Sequence, residues 1–83
     1  MGAIDSILNN REEQYGEFAD VADTAIRIYD AVTLNPDKFT NSQLVALQAI
    51  ASKLGRIAHG NAQQWDSWAD IAGYATLIAK ELE

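Results

Sequence analysis

Residues 40–60, Thr40-Asn41-Ser42-Gln43 followed by LVALQAIASKLGRIAH and Gly60, carry a helix start, an apolar stripe and a helix stop in one run. Thr40 and Gln43 have capping-box spacing: the Thr40 hydroxyl accepts from the Gln43 backbone N–H, and the Gln43 side chain returns to Thr40. Leu44, Leu47, Ile50, Ala51, Leu54, Ile57 and Ala58 then recur at helical spacing and predict one buried face. Gly60 stands where a left-handed C-terminal residue is expected. Gly55 falls inside this helix, where glycine costs about 0.5–1 kcal/mol relative to alanine, so the position marks close approach of another backbone or of a ligand.

Outward from this helix the pattern stays helical. Upstream, Ile7 and Leu8 and then Phe18, Val21, Ala22, Ala25, Ile26, Tyr29 and Val32 give two helical pieces. Asp5 or Ser6 caps the first, Gly16 breaks or kinks the run, and the second ends before Asn35-Pro36, because proline disfavours helix in the residue before it. Leu34 to Phe39 is read as the loop. Downstream, a last helix is expected from Gln63 or Gln64 almost to the end, with Trp68, Ile71, Ala72, Ala75, Ile78, Ala79 and Leu82 on one face. Gly73 repeats the interior glycine of Gly55 and predicts a close crossing of the two helices. Phe18 and Trp68 are assigned to the core. No alternating β-branched run bounded by turns exists, so the expected fold is all-α, a single domain over 1–83 built as a bundle of three to four helices.

Composition narrows the chemistry. Eighty-three residues lie near the size at which one core supplies only roughly 3–5 kcal/mol. With no cysteine and with His59 as the sole histidine, disulfides, thiolate metal sites and a histidine-based zinc site within one chain are excluded. Self-association is the remaining reinforcement, and a homo-oligomer is expected. A net charge of −6 with only six scattered basic residues argues against nucleic acid as partner, since phosphate binding needs a Lys/Arg stripe. The first residues lack a basic and then apolar leader pattern, and no apolar run approaches the roughly 18 residues of a membrane span. An intracellular protein without a membrane partner is the expectation.

The densest collection of functional side chains is Trp65 to Tyr74. Asp66 and Asp70 are i, i+4 and project from one helix face, while Lys53 and Arg56 are i, i+3 on the preceding helix. If the two helices run antiparallel, the acids and bases meet, either as ion pairs or with Lys53 and Arg56 on an anionic ligand that the aspartates help orient. Arg11, Tyr15 and Phe18 form a second polar-aromatic set beside Gly16. Trp65 and Tyr74 are the aromatics most available to a ligand, and His59 sits favourably near a helix C-terminus. Glu13, Glu17 and Asp20 share a face of the early helix, and a Mg²⁺ site from Glu13, Glu17, Asp66 and Asp70 is the alternative use of the acids. No glycine-rich phosphate loop and no partnered nucleophile is present.

Ile7-Leu8, Arg11, Tyr15-Gly16, Phe18, Lys53, Arg56-Ile57, Gly60, Asp66-Ser67-Trp68 and Asp70 to Ala75 together resemble a small phage and prophage protein family catalogued as a domain of unknown function. The resemblance covers most of the chain. It implies a viral origin and the cytoplasm of a bacterial host, and no particular reaction. More loosely, the last element is similar to phage proteins associated with nucleotide modification, and the acid pattern to MazG-like nucleoside triphosphate pyrophosphohydrolases. Those enzymes pair an E-x-x-E helix with an E-x-x-D helix around Mg²⁺, whereas here Asp66 and Asp70 are i, i+4.

Three functions follow as expectations. The first is a non-catalytic binding protein without a cofactor, in which Arg11, Tyr15, Lys53, Arg56, Trp65, Asp66, Asp70 and Tyr74 hold a nucleotide-like anion, for instance a host immune signal sequestered by a phage. The second is a Mg²⁺-dependent nucleotide pyrophosphohydrolase using Glu13, Glu17, Asp66 and Asp70. The third is an interaction module that inhibits a host enzyme through its acidic helical face.

Overall fold

The computed structural model describes residues 2–83 and is all-helical. Four α-helices follow one another as α1 (Gly2–Tyr15), α2 (Phe18–Val32), α3 (Asn41–His59) and α4 (Trp65–Glu81), with a short 3-10 turn at Pro36–Lys38 between α2 and α3. Among the described residues there is no strand. α3 is the central element, with α2 and α4 packed against it, while α1 touches α2 and α3 only sparsely and buries none of its side chains.

Local signals account for most of the boundaries, but α1 already begins at Gly2, so the cap expected at Asp5 or Ser6 is not used. The first helix ends at Tyr15 because Gly16 takes φ +88°, a conformation that only glycine adopts without strain. α2 stops at Val32: the Thr33 hydroxyl and N–H both donate to the Tyr29 carbonyl, at 2.6 and 2.9 Å, and Asn35-Pro36 follows. α3 opens with the complete capping box, Gln43 N–H donating to Thr40 Oγ1 at 3.1 Å and Thr40 N–H to Gln43 Oε1 at 2.9 Å. The connection to α4 is a tight turn in which Gln63 N–H donates to the Asn61 side chain and Gln64 N–H to the Asn61 carbonyl.

The centre of the packing is made of small residues. Among the described residues, Val21, Ala46, Ala51, Gly55 and Ser67 are the buried positions. At Gly55 a Cβ would stand 2.7 Å from the Val21 carbonyl oxygen, so the backbones of α2 and α3 touch there, as the interior glycine predicts. Gly73 is different: a Cβ there would meet nothing within 4 Å, so no α3–α4 crossing is built on it.

Small residues on the lines of closest approach displace the large ones to the margins. Of the stripe read from α3, only Ala51 is fully buried, most of its larger members are half-buried, and Ala58 is exposed. Phe18 is 82% exposed and Trp68 is 53% exposed, so neither is core. The reason is geometrical. α2 and α4 each pack mainly on α3 and not on one another, so the apolar stripe of α4 has only α3 to rest on. Trp68 instead lies against the turn, its indole N–H donating to the Ala62 carbonyl at 2.8 Å. The chain measures 46 × 23 × 22 Å, with a radius of gyration of 14.4 Å against about 12 Å for a compact domain of this length.

Candidate functional site

Two glycines bring the end of α1 onto the end of α3. A Cβ on Gly16 would lie 2.6 Å from the His59 Cβ, and one on Gly60 would lie 2.4 Å from the Tyr15 carbonyl carbon. Asn61 N–H donates to the Gln14 carbonyl at 2.8 Å and closes the contact. Gly60 has φ −112° and ψ −145°, so the left-handed cap expected there is absent; the position needs glycine for space, not for its dihedral angles. His59 ends α3 beside this crossing, its Nε2 2.6 Å from Thr24 Oγ1 on α2.

The crossing delivers Tyr15 into a cluster. Its hydroxyl donates to Asp66 Oδ2 at 2.6 Å, linking the end of α1 to the first turn of α4. Its ring lies under two guanidinium groups: the Arg56 Cζ is 4.7 Å and the Arg11 Cζ 5.3 Å from the ring centroid, both within cation–π range. Among the described residues the ion pairs are Arg27–Asp23 and Lys53–Asp70, each at 3.2 Å, so neither arginine on Tyr15 has a carboxylate within 4 Å. Beside them Leu8, Phe18, Val21 and Ser52 help to wall a cleft of about 200 Å³ between α1 and the α2–α3 pair.

Electrostatics follows from the hydrogen bond. The hydroxyl donated by Tyr15 holds the Asp66 carboxyl below the ordinary carboxylate range, against the opposing effect of burial. The same bond, helped by burial and by the negative charge of Asp66, raises the Tyr15 phenol above its ordinary value, while Arg56 and Arg11 pull it down. Asp66 is thus an anion and Tyr15 a neutral phenol at neutral pH. The second carboxylate oxygen, Asp66 Oδ1, is enclosed without a hydrogen-bond partner.

The eight residues proposed from the sequence separate into groups. Arg11, Tyr15, Arg56 and Asp66 converge. Lys53 and Asp70 neutralise each other across α3 and α4, with the lysine side chain 17% exposed, so the acid-base pairing expected between these helices is realised for this pair alone. Asp66 answers Tyr15 instead of Arg56, because Tyr15 is inserted between the helix ends. Trp65 is 78% exposed at the start of α4, outside the cleft lining, and Tyr74 borders a separate groove with Val45 and Leu77. Among the described residues no three His, Cys, Asp or Glu side chains gather where they could hold a metal ion, which leaves Glu13, Glu17, Asp66 and Asp70 without a common centre. What the residue pattern did not disclose was the Tyr15–Asp66 bond, which joins positions 51 apart. The pairing of Gly16 with Gly60 was the available signal, once both are read as contact points.

Fold and cleft define a small all-helical protein that carries two guanidinium groups, both without carboxylate partners, on one phenol ring. The chain belongs to the family described as "Domain of unknown function (DUF6378)", whose profile matches residues 2–82. No curated protein and no solved structure matches it. No helix among the described residues is long and apolar enough to cross a membrane.

Proposed function

We propose that this is a non-catalytic binding protein, encoded by a phage or prophage and acting as a homo-oligomer, that sequesters a nucleotide-like anion in the Arg11–Tyr15–Arg56 cleft. One observation carries the reading. In a chain of net charge −6, two of the six basic residues stand together over an aromatic ring with no carboxylate within 4 Å of either, although Glu12 lines the same cleft and Asp66 holds the ring's hydroxyl. Acids outnumber bases two to one, so leaving both guanidinium groups without a direct ion pair favours an anion from outside the chain. Arginine recognises phosphate oxygens through its planar fork, and its face and Phe18 supply flat surfaces for a base.

At about 200 Å³ the cleft is below the roughly 300–1,000 Å³ of complete small-molecule pockets, so it fits one ring and one anionic group and leaves the rest of a larger ligand outside. A host immune signal built from nucleotides has that chemistry. Lys53, occupied by Asp70, and Trp65 and Tyr74, outside the cleft, take no part in this version of the site.

Calorimetric titration with adenosine 5′-monophosphate, a cyclic dinucleotide, adenosine and inorganic phosphate tests it. The two nucleotides should bind more tightly than adenosine or phosphate alone, and Arg56→Ala and Arg11→Ala should each weaken binding roughly 10- to 100-fold, the equivalent of about 1.5–3 kcal/mol for a charge-assisted contact. Absence of nucleotide binding, or unchanged affinity in both variants, would falsify the assignment.

A further inference from the structure

Tyr15 is the last residue of α1, and the end of this helix is seated by backbone: Gly16 and Gly60 bring it against α3, and Asn61 N–H donates to the Gln14 carbonyl. These contacts leave the Tyr15 side chain free to turn. The ring is half-buried, and its anchor is the hydroxyl, which donates to Asp66 Oδ2 on the first turn of α4 at 2.6 Å. Arg11 stands one turn back on α1 and Arg56 on α3, so guanidinium groups from two helices share a ring that a third helix holds. Asp66 itself offers a ligand nothing. It is not in the lining of the cleft, its Oδ2 is taken by Tyr15, and its Oδ1 is enclosed. Its negative charge also has the wrong sign for direct contact with an anion.

We infer that Asp66 is a positioning residue of the arginine cleft: by holding the Tyr15 hydroxyl it keeps the ring under Arg11 and Arg56, and so sets the affinity for an anion that Asp66 never touches. This rests on the anion-binding reading proposed above and adds to it a residue outside the cleft. Two effects connect Asp66 to the ligand. A guanidinium over a ring is held by its face, so its N–H edge stays free for phosphate oxygens, and a fixed ring removes rotamer freedom that binding would otherwise have to freeze. A phenol that donates to a carboxylate is also polarised toward its oxygen, which makes the ring face more attractive to cations. The sign of the expected effect separates positioning from simple electrostatics. Removing a carboxylate near an anion site strengthens binding through Coulomb's law, whereas removing the anchor of the ring weakens it.

Two measurements on the full chain test this, one with ligand and one without. In calorimetric titration with a cyclic dinucleotide, Asp66→Ala should bind roughly 5- to 10-fold more weakly than the wild type, despite its lost negative charge. Asp66→Asn keeps an acceptor oxygen for the Tyr15 hydroxyl without the charge, and should bind at least as tightly as the wild type. Tyr15→Phe should match Asp66→Ala, and the double variant should be no weaker than either, because both remove the same bond. The second measurement uses the side-chain Nε–H signals of the three arginines, assigned by single Arg→Lys variants. In the ligand-free wild type the ring current of Tyr15 should move Arg11 and Arg56 upfield of Arg27, which pairs with Asp23. The displacement should collapse in Asp66→Ala and return in Asp66→Asn. Binding by Asp66→Ala as tight as that of the wild type, no rescue by Asp66→Asn, or arginine signals that Asp66→Ala leaves in place overturns the positioning role. A wild type that binds no nucleotide overturns instead the anion reading of the cleft, and the ligand-free signals still decide whether Asp66 holds the ring.

Discussion

Three glycines of this chain make opposite predictions from the same substitution. Gly55→Ala drives a methyl group to 2.7 Å from the Val21 carbonyl, and Gly60→Ala drives one to 2.4 Å from the Tyr15 backbone, so each should lower stability by about 1–3 kcal/mol in urea denaturation. Gly73→Ala meets open space inside α4 and should raise stability by about 0.5–1 kcal/mol. If Gly60→Ala were neutral, the α1–α3 crossing would have to be looser than described. At the neighbouring position, Tyr15→Phe retains an aromatic ring and removes the hydroxyl from Asp66. The sign of its pH effect is fixed. Asp66, depressed in the fold, contributes stability above the ordinary aspartate pKa near 3.9 that is lost as pH falls through its lower folded value. Tyr15, raised in the fold, contributes stability below pH 10 that is lost as pH rises through its higher folded value. Denaturation midpoints of the wild type should therefore drop at both extremes, and those of Tyr15→Phe should drop less; parallel profiles would refute the coupling.

Among the elements, α3 was the most legible because its signals are local. Thr40 and Gln43 lie three residues apart and need no tertiary partner to cap a helix, and Thr40→Ala should cost about 1 kcal/mol, read as a lower thermal midpoint. The break at Gly16 and the stop before Pro36 were equally local. Burial was not. Helical spacing identifies an apolar face but not whether another element arrives to cover it, which is why Phe18 and Trp68 are exposed while Ser67, polar and small, is 2% exposed. The candidate site divides along the same line. Lys53–Asp70 could be anticipated from an antiparallel pair of adjacent helices, whereas Tyr15–Asp66 depends on α1 reaching the far end of α3.

For the whole molecule, an elongated bundle with few large buried side chains draws little stability from its own core, since apolar burial contributes roughly 25 cal/mol per Å². Under the proposed self-association, folding is coupled to assembly and the thermal midpoint depends on concentration. A tenfold increase in protein should raise it by roughly 3–5 °C, given the unfolding entropy of two chains of this length. A midpoint that stays fixed from micromolar to millimolar concentration would mean that each copy is stable alone.

The order in which the helices meet also has a kinetic side. α2, α3 and α4 are joined by short connections and pack on their sequence neighbours, contacts that close quickly, whereas the Tyr15–Asp66 bond must close a loop of 51 positions. Formation of the α2–α3–α4 layer should therefore precede docking of α1, and the arginine cleft would be the last part of the chain to mature. In stopped-flow refolding, tryptophan signals from Trp65 and Trp68 should recover before nucleotide-binding competence does. Simultaneous recovery would show instead that α1 belongs to the folding nucleus.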